Sequence, residues 1–272
     1  MARTVIVGDV HGCARELEDL LSYVGLSSSD KLFFVGDLVV RGPRPREVIA
    51  LAREHGAVAV RGNHEDRLLR WKRSKGTDHE IRIGAVTRRA AEALKPRDWE
   101  YLEELPLWAD LPSHETRIVH AGLMPGIPIE EQDPRTLMNI RTLDRHHEPS
   151  ELRGSISWAH HYAGPQHIVF GHNASVSPDI ALHATGIDTG AVYGGRLTAM
   201  VLREGERPPP PEDRAKVLVS VPSRRVYFEK DRPSHSASFK LLRSAEGRHK
   251  HGSVPPASIR SRARAGRRSE SG

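Results

Sequence analysis

The chain has 272 residues with 38% hydrophobic and 28% charged residues, one cysteine and a formal net charge of +6. That length buries a core without covalent staples, and the lone Cys13 excludes an internal disulfide, so a reducing, cytoplasmic setting is expected. No run approaches the ~18 apolar residues of a membrane span and no cleavable leader pattern precedes the first apolar run, which disfavours the membrane and secreted classes. Taken in chain order, short β-rich runs recur at residues 4–7, 31–35, 57–60, 117–119, 167–170, 185–187 and 197–202. Several are nearly all apolar, as strands covered on both faces are. Between the first two, Leu17, Leu20, Leu21 and Val24 fall at i, i+3, i+4 and i+7, which predicts an amphipathic helix ending near Gly25. Between the next two, Pro45 sits where a helix starts, with Val48, Leu51 and Ala52 on one face and Gly56 beyond the end. Residues 64–104 read as mostly helical, broken at Gly76, Gly84 and Lys95-Pro96.

The C-terminal quarter reads differently. Residues 1–205 form the expected catalytic body, residues 206–240 a Pro-rich linker with room for a short β-ribbon in KVLVSVP and RRVYFE, and residues 241–272 a basic, disordered tail. The tail carries eight Lys/Arg against two Glu, so it holds the whole formal charge and the remainder balances 33 against 33. Its attraction to polyanions would be blind to sequence and sensitive to salt.

Five of the apolar runs are followed at once by polar clusters: GDVHG at 8–12, GDLVVRG at 36–42, RGNHE at 61–65, VHAGL at 119–123 and FGH at 170–172. From His11 to Asp37 is 26 residues and from Asp37 to Asn63 another 26, one strand-helix unit each. Ligands in open α/β sheets sit beyond the carboxyl ends of strands, so these clusters should converge. Each is weak alone, since an Asn-His pair is commonly a helix cap and a His after a strand commonly structural. Together, two Asp, one Asn and three His make a donor set suited to divalent transition metals, and the absence of thiolates disfavours structural zinc.

With GIDTGAVYGG at 186–195 added, the ordered set over roughly residues 4–203 resembles the calcineurin-type metallophosphoesterases of the phosphoprotein phosphatase superfamily. Within it, GDLVVRGP and the GIDTG segment are most similar to bacterial symmetrical diadenosine-tetraphosphate hydrolases and related phosphatases. Periodicity alone suggests one doubly wound α/β sheet. The resemblance implies instead a four-layer β-sandwich flanked by helices, with a dimetal site at the strand ends.

It further implies that Asp9 and His11 bind a first metal, that Asp37 bridges two, and that Asn63, His120 and His172 complete the second. A metal-bridged hydroxide would attack phosphorus. His64 would protonate the leaving oxygen, Arg41 and Arg141 would clamp phosphate, and Tyr193 would touch substrate. Mn²⁺ is the expected metal, with Co²⁺, Fe²⁺, Ni²⁺ and Zn²⁺ compatible with mixed N/O ligation. Protein phosphatases of the superfamily carry GDxVDRG, whose second Asp orients the catalytic His; Val40 stands there, which leaves Glu65 or Asp144 as the partner expected for His64. GHNA at 171–174 also departs from the usual GHTP.

Val40 favours a phosphoanhydride substrate, diadenosine tetraphosphate cut to two ADP. The alternative is a serine/threonine or dual-specificity phosphatase acting on a phosphoprotein, and a remote third reading is a non-catalytic scaffold holding polyanions through its tail. Cys13 reads as a small buried filler, His160, His161 and His183 as surface or structural groups, and Trp71, Trp99 and Trp108 as helix packing.

Overall fold

The computed structural model describes residues 2–154 and 156–229. In β1 (Arg3–Val7), Val5 and Val7 face a layer of helices while Ile6 faces a second sheet, which is why the strand is apolar throughout. α1 (Ala14–Val24) buries the predicted Leu17, Leu20 and Leu21 stripe and ends on Gly25, whose φ of 58° lies in the left-handed region. β2 (Lys31–Phe34), α2 (Pro45–Glu54) and β3 (Val58–Ala59) repeat the unit. α3 (Asn63–Ser74), α4 (Ala85–Ala93) and α5 (Pro96–Glu104) follow as the helical excursion, separated where the glycines and the Lys-Pro step predict.

The second half supplies β4 (Trp108–Leu111), β5 (Thr116–Val119), α6 (Pro134–Asn139), the small ribbon of β6 (Thr142–Leu143) and β7 (Pro149–Ser150), β8 (His167–Phe170), β9 (Asp179–Ile180) and β10 (Ala184–Gly186). β11 (Arg196–Arg203) and β12 (Leu218–Pro222) then return to β1. One five-stranded sheet runs β12-β11-β1-β2-β3 and the other β4-β5-β8-β10-β9. Ile6, Val35, Met200 and Leu202 from the first meet Leu111, Ile118 and Val169 from the second, so the sheets pack face to face. Helices α1 to α5 cover the outer face of the first. On the outer face of the second, Trp158, Leu137 and Ile129 close over Phe170 and Ile168. The layered sandwich replaces the single doubly wound sheet that periodicity alone suggests.

Strands β1, β2 and β3 are mutually parallel, as are β5, β8 and β10. Six carboxyl ends therefore reach one rim, and the tethers between loops hold it: His11 N–H donates to the Asp37 carbonyl at 2.7 Å and Gly171 N–H to that of His120 at 2.7 Å.

The body does not stop at residue 205. β12 pairs with β11 over five residues, from Arg196 opposite Pro222 to Met200 opposite Leu218, so the predicted ribbon is an edge of the first sheet. Residues 224–228 are not its second strand but run back over α1. Arg214, only 1% exposed, donates to the Pro209 carbonyl at 2.6 Å, to His167 Nε2 at 2.8 Å and to the Thr185 hydroxyl. A linker would leave that guanidinium in water. Arg214→Met should therefore lower stability by about 2–3 kcal/mol, because the buried acceptors around it lose their donor; a urea titration reads this. The remaining linker residues from 230 and the basic tail at 241–272 lie outside the described residues. Among those described, no helix is long and apolar enough to cross a membrane.

Candidate active site

Each of the six parallel strands delivers one polar group to the rim: Asp9 after β1, Asp37 after β2, Asn63 after β3, His120 after β5, His172 after β8 and Asp188 after β10. The first five are those the motifs single out. Asp188, 6% exposed, acts electrostatically on both Asp9 and Asp37. The sequence signal was present in GIDTG, where the same strand-then-acid order recurs.

Ligand atoms gather in two groups that share Asp37. His11, Asp37 and His64 form one and Asp37, His120 and His172 the other, all within 4.8 Å of one another in each. Asp9 Oδ2 lies 4.0 Å from His11 Nε2, and Asn63 Oδ1 lies 3.1 Å from His120 Nε2 and 3.2 Å from His172 Nδ1. His120 Nδ1 is 2.9 Å from the Val35 carbonyl, which can only accept, so the proton sits on Nδ1. Its Nε2 lone pair then faces Asn63 Oδ1 and, at 3.5 Å, Asp37 Oδ1. Three acceptors aimed at one point need a cation between them. His11 repeats the pattern: Nδ1 meets the Val39 carbonyl at 3.2 Å, and Nε2 faces Asp37 Oδ2 at 3.5 Å. Here Arg41 Nη1 donates to Nε2 at 2.6 Å. The donor set thus fits two cations with a shared carboxylate.

The electrostatics agree. Burial pushes the Asp9 carboxyl well up, helped by the charges of Asp188 and Asp37, and raises Asp37 to about 7. Burial likewise holds His11, His64 and His172 well below the ordinary imidazole range and brings His120 down to about 4. Neutral imidazoles are the form that binds metal, and the crowded carboxyls would release their protons to a cation.

Packing fixes the carboxylates. A Cβ on Gly171 would sit 1.9 Å from Asp9 Oδ1 and 2.7 Å from Val35 Cγ2. Gly62 is as tight, its added Cβ lying 2.2 Å from Asp37 Oδ1. Gly171→Ala should displace Asp9 and weaken metal affinity by at least the ~10–100-fold typical of disturbed ligand support; metal content after dialysis checks it. The backbone is strained as well. His11, Asp37, Val40, Arg41 and His172 all have positive φ, between 48° and 70°.

Arg41 and Arg141 reach the centre from different sides. The Arg41 guanidinium lies 5.4 Å from the Tyr193 ring centroid. Arg141 Nη1 donates to Asn173 Oδ1 at 2.9 Å and to the His172 carbonyl at 3.3 Å, so the departure at Asn173 becomes a support for Arg141. Neither carboxylate expected beside His64 is there. Glu65 spends its oxygens on the backbone N–H groups of Asp37 (2.9 Å), Gly62 (3.0 Å) and Val39 (3.2 Å), and Asp144 accepts from the backbone of His146 and Glu148. His64 Nδ1 is buried with no hydrogen-bond partner, its ring edge-to-face with His11 at 5.0 Å. Val40, 1% exposed, belongs to the apolar core. Away from the site, Cys13 is buried and its thiol pushed up by burial, His160 pairs with Asp179, and Trp71 and Trp99 pack in the core. Trp108 is on β4 and not on a helix.

Residues 2–204 match the profile of the calcineurin-like phosphoesterases. The chain belongs to that family. It is accordingly a hydrolase of phosphoric ester or anhydride bonds, in a family whose members use a dimetal centre. It is 33% identical over 247 residues to a bis(5'-nucleosyl)-tetraphosphatase PrpE [asymmetrical] from Oceanobacillus iheyensis, covering 82% of this chain and 93% of the relative. A protein of the same name from Anoxybacillus flavithermus is 34% identical over 255 residues, 84% of this chain and 98% of its own length. A crystal structure provisionally described as a diadenosine tetraphosphatase superposes with a TM-score of 0.69 at 33% identity, covering 81% and 93% of the two chains. A protein serine/threonine phosphatase from Saccharomyces cerevisiae shares the fold at 17% identity and a TM-score of 0.50, covering 86% of this chain and 82% of its own. The curated relatives carry the word asymmetrical, where the motifs pointed to symmetrical hydrolases.

Proposed function

We propose that the protein hydrolyses dinucleoside tetraphosphates asymmetrically, leaving three phosphates on one nucleoside and one on the other, with Mn²⁺ as its metal. The observation that carries this reading is the 33–34% identity, over more than four fifths of the chain, to hydrolases named for that cleavage. Asp9, His11 and Asp37 hold one metal, and Asp37, Asn63, His120 and His172 the other. When bound there, such metals supply charge to phosphoryl oxygens and lower the pKa of a water. Arg41 and Arg141 orient the phosphoryl oxygens through their planar guanidinium forks, and Tyr193 bounds the leaving side. Burial and nearby cations keep His64 neutral in the free chain. In the loaded complex His64 would supply the proton that the leaving oxygen takes up.

The deciding measurement is turnover by Mn²⁺-loaded protein on diadenosine tetraphosphate, a phosphoserine peptide and p-nitrophenyl phosphate, with products separated by anion exchange. ATP with AMP, at the highest kcat/KM of the three, is expected. Two ADP would restore the symmetrical cut, and peptide turnover with the dinucleotide untouched would overturn the reading. His64→Asn should keep both metals and slow turnover by about 10²–10⁴, more for poor leaving groups than for good ones. A loss equal across leaving groups would remove the proton from His64.

A further inference from the structure

On the Arg41 side of the centre, a pocket of about 440 Å³ is lined by Arg41, by Arg89 of α4 and by Arg225, Tyr227 and Phe228. Among the described residues no carboxylate lines it. A second pocket, about 660 Å³, opens on the Asn63 side, but there Arg67, Arg70 and Arg135 face Asp66, Asp133 and Glu151. Arg135 is paired with Glu151 at 2.6 Å and Arg70 with Asp66 at 3.8 Å. Of these two pockets, only the first has guanidinium groups in its lining with no carboxylate among them.

One wall of the first pocket comes from residues 225–228, outside the 2–204 family match. Ser223 Oγ donates to the Ala191 carbonyl at 2.6 Å, and the N–H groups of Tyr227 and Phe228 both reach the Val192 carbonyl at 3.0 Å. Arg224 grips Asp19 with two nitrogens, at 2.8 and 3.0 Å, and Tyr227 Oη donates to Glu16 at 2.9 Å. The segment is thereby fixed to α1 and to the turn that carries Tyr193. Phe228 lies 6.2 Å from Tyr193, and the Arg41 guanidinium is 5.4 and 5.6 Å from the two ring centroids. Arg41, a phosphate-clamp residue, is thus positioned in part by the C-terminal segment.

We infer that this pocket is the subsite for the longer arm of the substrate. The phosphates remote from the cut lie on Arg89 and on Arg225, whose guanidinium sits 5.0 Å from the Tyr227 ring centroid, and the nucleobase lies against Phe228. The inference rests on the asymmetric hydrolase reading, which leaves three phosphates on one side, and it matches that arm to the pocket whose lining carries three guanidinium groups and no carboxylate among the described residues. Exposed guanidinium groups suit a polyphosphate of variable length, and an aromatic face accepts any base. Residues 223–228 would then set the preference for long polyphosphates over monoesters.

The test is the double variant R89A/R225A, both positions being exposed, made in the full chain loaded with Mn²⁺. Its kcat/KM for diadenosine tetraphosphate should fall about tenfold or more beyond any change for p-nitrophenyl phosphate, mainly through KM, because remote contacts bind substrate and transition state alike. The Ki of ATP against p-nitrophenyl phosphate turnover, with Mn²⁺ in excess, should rise by a similar factor. Phe228→Ala should lose activity on both substrates, because Phe228 abuts Arg41, but more on diadenosine tetraphosphate than on p-nitrophenyl phosphate, with Phe228→Leu intermediate. Equal losses on both substrates, or an unchanged ATP Ki, would overturn the subsite. Wild-type protein that cleaves p-nitrophenyl phosphate but not the dinucleotide would overturn the hydrolase reading instead. In that event a raised ATP Ki in the variant would uphold the pocket as a nucleoside polyphosphate site, and an unchanged one would remove it too.

Discussion

Asp37→Asn should abolish turnover and leave the protein unable to retain two metals through dialysis. Asp37 is the one carboxylate common to both groups of ligand atoms, with Oδ2 facing His11 and Oδ1 facing His120. The amide keeps the shape and the acceptor oxygen but loses the charge, and its NH₂ would turn toward an imidazole lone pair or a cation. Changes in the shell behind a metal cost ~10–100-fold, so loss of the shared ligand should exceed that. Metal analysis beside turnover on diadenosine tetraphosphate reads both effects. Retention of two metals with wild-type activity would remove Asp37 from the bridge.

The second large effect is expected at Glu65, which is fully buried. Glu65→Ala strands three buried backbone N–H groups at once, those of Asp37, Val39 and Gly62, and leaves a cavity beneath the centre. The stability loss should be about 3 kcal/mol or more, since each unpaired buried donor costs roughly 1–3 kcal/mol. Glu65→Gln retains one acceptor oxygen and should lose less. The pair also carries a pH signature. Burial, with the charge of Asp37, raises Glu65 to about 7. An acid whose folded pKa is raised holds its proton in the folded chain after the unfolded chain has lost it. In metal-free protein Glu65 therefore takes stability away as pH climbs from about 4.5 to about 7. Glu65→Gln cannot ionise, so its Tm should gain on the wild type between pH 5 and pH 8. Parallel Tm curves would show that Glu65 does not titrate there.

The rim was legible in the sequence because the strands beneath it are buried on both faces and read as uninterrupted apolar runs, each stopped by a glycine and a polar group. α1 was legible at both ends, from its leucine stripe and the left-handed Gly25. What escaped depends on partners distant in the chain. β4 is a four-residue edge strand, half-exposed over Trp108–Asp110, with no apolar run to mark it. β12 looked like half of a local ribbon because only the three-dimensional return of β11 shows where its hydrogen bonds go. Arg214 is charged and follows a proline tract, and nothing local reveals that Thr185 and His167 await its guanidinium. Glu65 was expected beside His64 because the two adjoin in sequence. Helix geometry instead turns it under the loop after β2, where three N–H groups engage both of its oxygens.

The positive φ angles at His11, Asp37, Val40, Arg41 and His172 have a bearing on engineering. A β-branched residue such as Val40 holds that conformation at a cost of roughly 1–3 kcal/mol, which the surrounding core must offset. Glycine there would relax the backbone but take a buried side chain out of the core, so the two effects oppose each other, and it would free the neighbouring arginine to wander from its aromatic cradle. The side chain that strains this loop also anchors it, so engineering for heat tolerance has more to gain in the helical layer than at the rim.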